Sequence, residues 1–148
     1  MSTYTQILYQ IVFSTKNREK TLQKSNRDKL YSYIWGILKK RNCHLYRIGG
    51  VEDHLHIATH IHPMVAPSIL IKDIKLASSK FIKQEKLFPG FNGWQDGFGA
   101  FTYAYATKNE LIEYVKKQIE HHKTISFKDE YIALLKENGI DFDEKYLL

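Results

Sequence analysis

At 148 residues, 43% hydrophobic and 26% charged, the chain is long enough for one hydrophobic core and ordinary in composition, so residues 1–148 are expected to form a single globular domain. No apolar run reaches the roughly 20 residues of a membrane helix, Met1-Ser-Thr-Tyr-Thr-Gln lacks the blocks of a signal peptide, and the lone Cys43 excludes a disulfide framework and a cysteine-rich zinc site, so a cytoplasmic protein with no membrane partner is expected. A net charge of +6 and a pI near 9.3 favour a polyanionic partner, with nucleic acid the usual one.

Tyr4–Ser14 is rich in β-branched and aromatic residues and predicts a first strand, followed by the basic loop Thr15-Lys-Asn-Arg-Glu-Lys20. Ser25-Asn-Arg-Asp28 has the form of a capping box and opens a helix to about Arg41, with Leu30, Ile34, Ile37 and Leu38 on one face. His44–Ile48 predicts a second strand, Gly49-Gly50 the start of a turn, and His54–Ile61 a third strand. Pro67 sits near a helix start, and Leu70, Ile74, Ala77 and Phe81 carry helical spacing through Ser68–Lys86. Residues 87–99 predict a loop holding Phe88, Phe91, Trp94 and Phe98 between glycines, and Ala100–Ala106 a fourth strand. Thr107-Lys-Asn-Glu110 is a second capping box, opening a helix that ends near His122. A last helix runs from Phe127 to Glu137 and stops at Asn138-Gly139. The order β-α-β-β-α-β plus C-terminal helices predicts an α+β, ferredoxin-like (split βαβ, RRM-like) fold, a four-stranded antiparallel sheet with helices on one face.

The chemistry concentrates in two places. In a strand, residues i and i+2 share a face, so His54 and His56 stand side by side while Leu55 faces the other way. Two neutral imidazoles on adjacent rungs make half a metal site. Tyr114 and Gln118 lie four apart on a helix and share its face. The Gln118 amide oxygen can complete a sphere begun by His54 and His56, leaving positions open for solvent and a phosphate oxygen. Such a mixed site suits Mn²⁺ or Mg²⁺ better than Zn²⁺. His60 and His62 abut Pro63 and are expected at the frayed strand end.

These motifs, in order, resemble the HUH single-tyrosine (TnpA-type) transposases of small insertion sequences that move as single-stranded DNA. The resemblance is carried by Asp53-His-Leu-His56, by Phe88-Pro-Gly-Phe through Trp94-Gln to Gly97-Phe-Gly-Ala-Phe101, by the Tyr114 helix, and by the tail Phe127-Lys-Asp-Glu-Tyr to Tyr146. It implies that His54, His56 and Gln118 hold a divalent ion, Mg²⁺ or Mn²⁺, and that the Tyr114 hydroxyl attacks a phosphodiester to leave a 5′-phosphotyrosine. It further implies hairpin-bearing single-stranded DNA as partner, a homodimer whose sites are shared between subunits, and bacterial or archaeal, nucleoid-associated work. Lys16, Arg18 and Trp94 are the DNA contacts it suggests.

Other readings compete. A non-catalytic RRM-like single-stranded nucleic-acid binder would stack bases on aromatics of its central strands, but no such motif stands there and it needs no His pair. A two-histidine phosphoesterase needs two His-x-Ser/Thr motifs, and His54-Leu55-His56 does not supply them. A domesticated relative acting on genomic repeats would share all these residues.

Overall fold

The central strand departs from simple alternation, and the reason organises the molecule. In the computed structural model, which describes residues 2–147, β1 (Leu8–Ser14) is buried at six of its seven positions. It pairs on one side with β3 (His54–His60) and on the other with β4 (Gly99–Tyr103), both antiparallel. β2 (Leu45–Gly50) pairs with the free edge of β3, giving the order β2-β3-β1-β4. The predicted split βαβ sheet is therefore present.

Helices cover both faces, which the sequence reading had not anticipated. α1 (Lys24–Lys40) and α2 (Pro67–Glu85) lie on one face, and Leu30, Ile34, Leu38, Leu70, Ile74 and Ile82 pack there against Ile11, Phe13, Leu55 and Ile57 of the sheet. On the other face lie α3 (Lys108–Lys116), the single turn α4 (Gln118–His121) and α5 (Phe127–Glu137). Leu111 and Val115 of α3 close over Leu8 and Ala58, and Phe127, Tyr131 and Leu134 of α5 close over Val12 and Phe101. A strand with an apolar layer on each face buries both sets of its side chains. Cys43 joins the first core as expected, 3% exposed.

Several boundaries differ from prediction for local reasons. The first strand begins at Leu8 instead of Tyr4 and the fourth stops at Tyr103, where Tyr105–Thr107 turns as a 3-10 helix. Neither predicted capping box forms. Thr107 donates its hydroxyl to the Ala104 carbonyl at 2.8 Å, and α1 starts from Gln23 with no side-chain cap. A side-chain cap does form at Ser126, whose oxygen accepts from the Asp129 amide at 3.2 Å and starts α5. On α2 the fully buried stripe is Leu70, Ile71, Ile74, Ser78 and Ile82, while Phe81 packs partly buried at the edge of the core and stacks on Tyr33 at 4.1 Å.

Gly49 and Gly50 belong to β2 instead of opening a turn, facing His56 and Leu55 across the ladder. The reason is steric. A Cβ at Gly49 would meet the Val115 carbonyl oxygen at 1.9 Å, so α3 can lie on the sheet only because this residue has no side chain. Substituting Gly49→Ala must push α3 away, and urea denaturation should show a loss of about 3 kcal/mol. Gly36→Ala, in the interior of α1 with nothing within 4 Å of the added carbon, should instead gain up to about 1 kcal/mol.

Candidate metal centre and tyrosine site

His54 and His56 share the face of β3 that the C-terminal helices cover, and both are 0% exposed. A buried imidazole needs partners for its ring nitrogens. His54 Nδ1 lies 2.7 Å from the Asp53 carboxylate. His56 Nδ1 lies 2.6 Å from Gln10 Oε1, and the Gln10 amide donates in turn to the Tyr103 hydroxyl at 2.7 Å. A third imidazole, His122, directs Nδ1 to the Ile125 carbonyl at 2.8 Å. Asp53 and Ile125 can only accept, so Nδ1 of His54 and of His122 carries the hydrogen. Each Nε2 is thereby presented as a lone pair.

The three Nε2 atoms converge on one oxygen. Glu130 Oε1 stands 3.3 Å from His54, 2.9 Å from His56 and 2.8 Å from His122. Glu130 is 2% exposed. With the rings neutral, four acceptors face each other across a dry space, and only a proton or a cation between them makes that favourable. One ligand atom from each of His54, His56, His122 and Glu130 lies within 4.8 Å of the others. Ligands of one ion at about 2.1 Å sit about 3 Å apart when adjacent, so these groups fit a divalent cation with small adjustments. Burial pulls His56 down to about 4, keeping it neutral. Burial pushes the Glu130 carboxyl up, but where no cation lies between them Nε2–H hydrogen bonds from the imidazoles outweigh this and hold it well below the usual carboxylate range.

The other Glu130 oxygen faces the tyrosine. Tyr114, half-buried on α3, donates its hydroxyl to Glu130 Oε2 and stacks edge-on against His56 with ring centres 5.7 Å apart. Burial first, and then the Glu130 charge, raise its pKa. Gln118 is 1% exposed, its Oε1 3.3 Å from His54 Nε2 and its amide 3.3 Å from Glu130 Oε2. The predicted continuous helix to His122 is broken after Lys116, where the Gln118 amide donates at 3.2 Å to the Tyr114 carbonyl, the acceptor of a regular helical bond. His121 adds a ring whose Nε2 is 3.3 Å from Glu130 Oε2.

The structure thus gathers His54, His56, Tyr114 and Gln118 into one cluster within one chain. His60 stays apart, its ring accepting from the Ile7 amide at 3.0 Å. Lys16 and Arg18 lie on a 3-10 turn bonded to the Trp94 loop, with Lys16 N to Gly93 O at 2.9 Å and Asn17 N to Gln95 Oε1 at 2.8 Å. Trp94 itself packs into the first core, edge-on to Phe13 at 4.9 Å, and donates to Ser78 at 3.0 Å. Sequence reasoning missed His122, Glu130 and the supporting Gln10. Two signals were available. His122 is four residues beyond Gln118 and eight beyond Tyr114, on the same helical face. Glu130 falls on the apolar stripe of Phe127, Tyr131 and Leu134, where an unpaired acid would be costly.

The chain belongs to the IS200-like transposase family, described as "Transposase IS200 like", which matches residues 3–118. That match ends at Gln118, so His122 and Glu130 lie beyond it. Two solved structures have the same fold. A candidate transposase from Deinococcus radiodurans R1 aligns with a TM-score of 0.60 at 20% identity, covering 80% of this chain and 95% of that one. A REP-associated tyrosine transposase bound to a REP hairpin gives 0.56 at 16% identity, covering 78% and 70%. No curated protein sequence matches the chain. No helix among the described residues is long and apolar enough to cross a membrane.

The groups behind the imidazoles set their orientation, so they should govern ion affinity. Asp53→Asn and Gln10→Ala should each weaken Mn²⁺ binding about 10- to 100-fold in calorimetric titration, with the fold intact by circular dichroism.

Proposed function

We propose that this chain is a single-stranded DNA transposase that cleaves and rejoins hairpin-bearing DNA through Tyr114. The observation that carries the reading is the placement of Glu130, one oxygen among three imidazoles and the other against the tyrosine hydroxyl. His54, His56 and Gln118, joined by His122 and Glu130, would hold a divalent ion. Bound there, the ion supplies Lewis-acid polarisation of the scissile phosphate. Three imidazoles and a carboxylate suit Mn²⁺ better than Mg²⁺, which prefers oxygen ligands.

The chain's own groups account for the rest. Glu130 Oε2 accepts a hydrogen bond from the Tyr114 hydroxyl and holds it in place, and the phenol, with an ordinary pKa of about 10, gives up its proton only as its oxygen bonds to phosphorus. The Tyr114 oxygen bonds to phosphorus, the bond from phosphorus to the 3′ oxygen breaks, and that oxygen takes a proton to leave as a 3′-OH. The strand's 5′ end stays on Tyr114 as a phosphotyrosine. A second 3′-OH reverses the step, so rejoining needs no nucleotide triphosphate. The buried layer around His56 and Gln118 limits water, which would otherwise hydrolyse the link.

Hairpin DNA as partner rests on the family and on the structural relative bound to a REP hairpin. Exposed Lys16 and half-buried Arg18 would contact the DNA, whereas Trp94 acts by fixing its loop. A homodimer with exchanged α3 helices would assemble the same groups from two chains. The proximity of Tyr114 to His56 within one chain favours a site completed in cis. The RRM-like binding module is disfavoured because helices cover both sheet faces, leaving bases no strand surface to stack on.

Oligonucleotides from the DNA flanking the encoding gene, incubated with Mn²⁺ and run on a denaturing gel, test this. The wild type should form a covalent adduct, lost with chelator, in His56→Ala and in Tyr114→Phe, while Tyr114→Phe still binds the DNA. An adduct on Tyr114→Phe would remove the nucleophile assignment. Mixing Tyr114→Phe with His56→Ala should restore nothing if the site is built in cis, and recovered cleavage would establish exchange between subunits.

A further inference from the structure

Beside the metal cluster lies a cleft of about 410 Å³ whose edge is formed by Asp53 and His122. Four cations line it: Lys20, Lys24, Arg27 and Lys123. Two acids, Glu52 and Asp53, also reach it, but Asp53 is engaged with His54 at 2.7 Å. Ile119 and Phe127 supply apolar wall, and Phe127 is itself stacked on His54 with ring centres 4.2 Å apart.

Arg27 is the informative residue. It sits in the first turn of α1 and is only 6% exposed. Its one hydrogen bond is to the Leu22 carbonyl at 3.2 Å, and it forms no ion pair among the described residues. Nearly buried guanidinium groups are normally paired with an acid, because desolvating a charge is costly. A planar fork of donors without a carboxylate, facing a cleft with three lysines, is arranged for an external anion. The first turn of α1 carries no acidic residue and adds its amide dipoles in the same sense.

We propose that this cleft binds a backbone phosphate of single-stranded DNA next to the scissile one, with Arg27 as its principal ligand and Phe127 and Ile119 against the adjoining sugar or base. The proposal rests on the reading of Tyr114 as a DNA nucleophile only for the choice of DNA over a small anion. The basic segment Lys16-Asn-Arg-Glu-Lys20 runs from the Trp94 loop to this cleft, since Thr21 and Leu22 bond the Glu52 carbonyl at 3.0 and 2.9 Å. The strand would follow that segment to the metal cluster.

The test uses the full chain and single-stranded oligonucleotides carrying one neutral methylphosphonate at successive positions. Binding is measured by fluorescence anisotropy without added metal. For the wild type, one position should weaken binding about tenfold, and Arg27→Met should abolish that position's effect while weakening the unmodified strand by a similar factor. Lys24→Glu with Lys123→Glu, both exposed and independent of any folding defect at Arg27, should reduce the salt slope by about 1.4. Mn²⁺ affinity should stay unchanged in all variants. Equal methylphosphonate profiles for wild type and Arg27→Met, or an unaltered salt slope in the lysine variant, would overturn the proposal. Inorganic phosphate that stabilises the wild type but not Arg27→Met, with no methylphosphonate position sensitive, would assign the cleft to a small anion and overturn its DNA role. An Arg27-dependent phosphate position with no covalent adduct would keep the cleft and remove the nucleophile, so the two readings fail separately.

Discussion

A single buried carboxylate organises this protein. Glu130 lies at the centre of a layer that a hydrophobic core would otherwise fill, and no isolated charge is stable there. Its presence demands His54, His56 and His122 around one oxygen and Tyr114 and Gln118 around the other. Those partners come from β3, α3, α4, the segment after it and α5, so the same charge ties the C-terminal helices to the sheet. The acceptors that surround it make little sense without a positive centre. The site and the docking of the second helical layer are thus one problem with one solution.

The sheet supplies the fixed half of this arrangement. Its pleat sends Leu55 and Ile57 into the α1/α2 core and His54 and His56 to the opposite side. Gln10, on the neighbouring strand, then orients His56, and Asp53, at the strand entrance, orients His54. The other half is carried by the helices that hold Tyr114, Gln118 and Glu130. Gly49 permits their close approach, since α3 rests almost directly on its backbone. Imidazoles fixed on a strand thus face a tyrosine carried by a helix, with Glu130 between them.

Much of this was readable in advance, and the exceptions share a cause. The alternation of His54 and His56, the spacing of Tyr114 and Gln118, and the β-α-β-β-α-β order all rest on local periodicity, which a sequence displays directly. Other readings failed where a long-range contact overrode a local one. Thr107 has the right neighbours for a cap, yet bonds Ala104. Gly49-Gly50 has the composition of a turn, yet a helix carbonyl passing overhead makes it strand.

The sequence by itself determined the sheet, its order of elements, the family and the pairing of His54 with His56 on one strand face, because those depend on residue types at fixed spacing. Only the tertiary structure decided that helices cover both faces, that His122 and Glu130 complete the cluster, and that Tyr114 meets His56 within one chain. Those outcomes join residues up to 76 positions apart along the chain, from His54 to Glu130. No local period encodes such a meeting. It is set by which apolar faces can be buried together and by where a buried charge can find its partners.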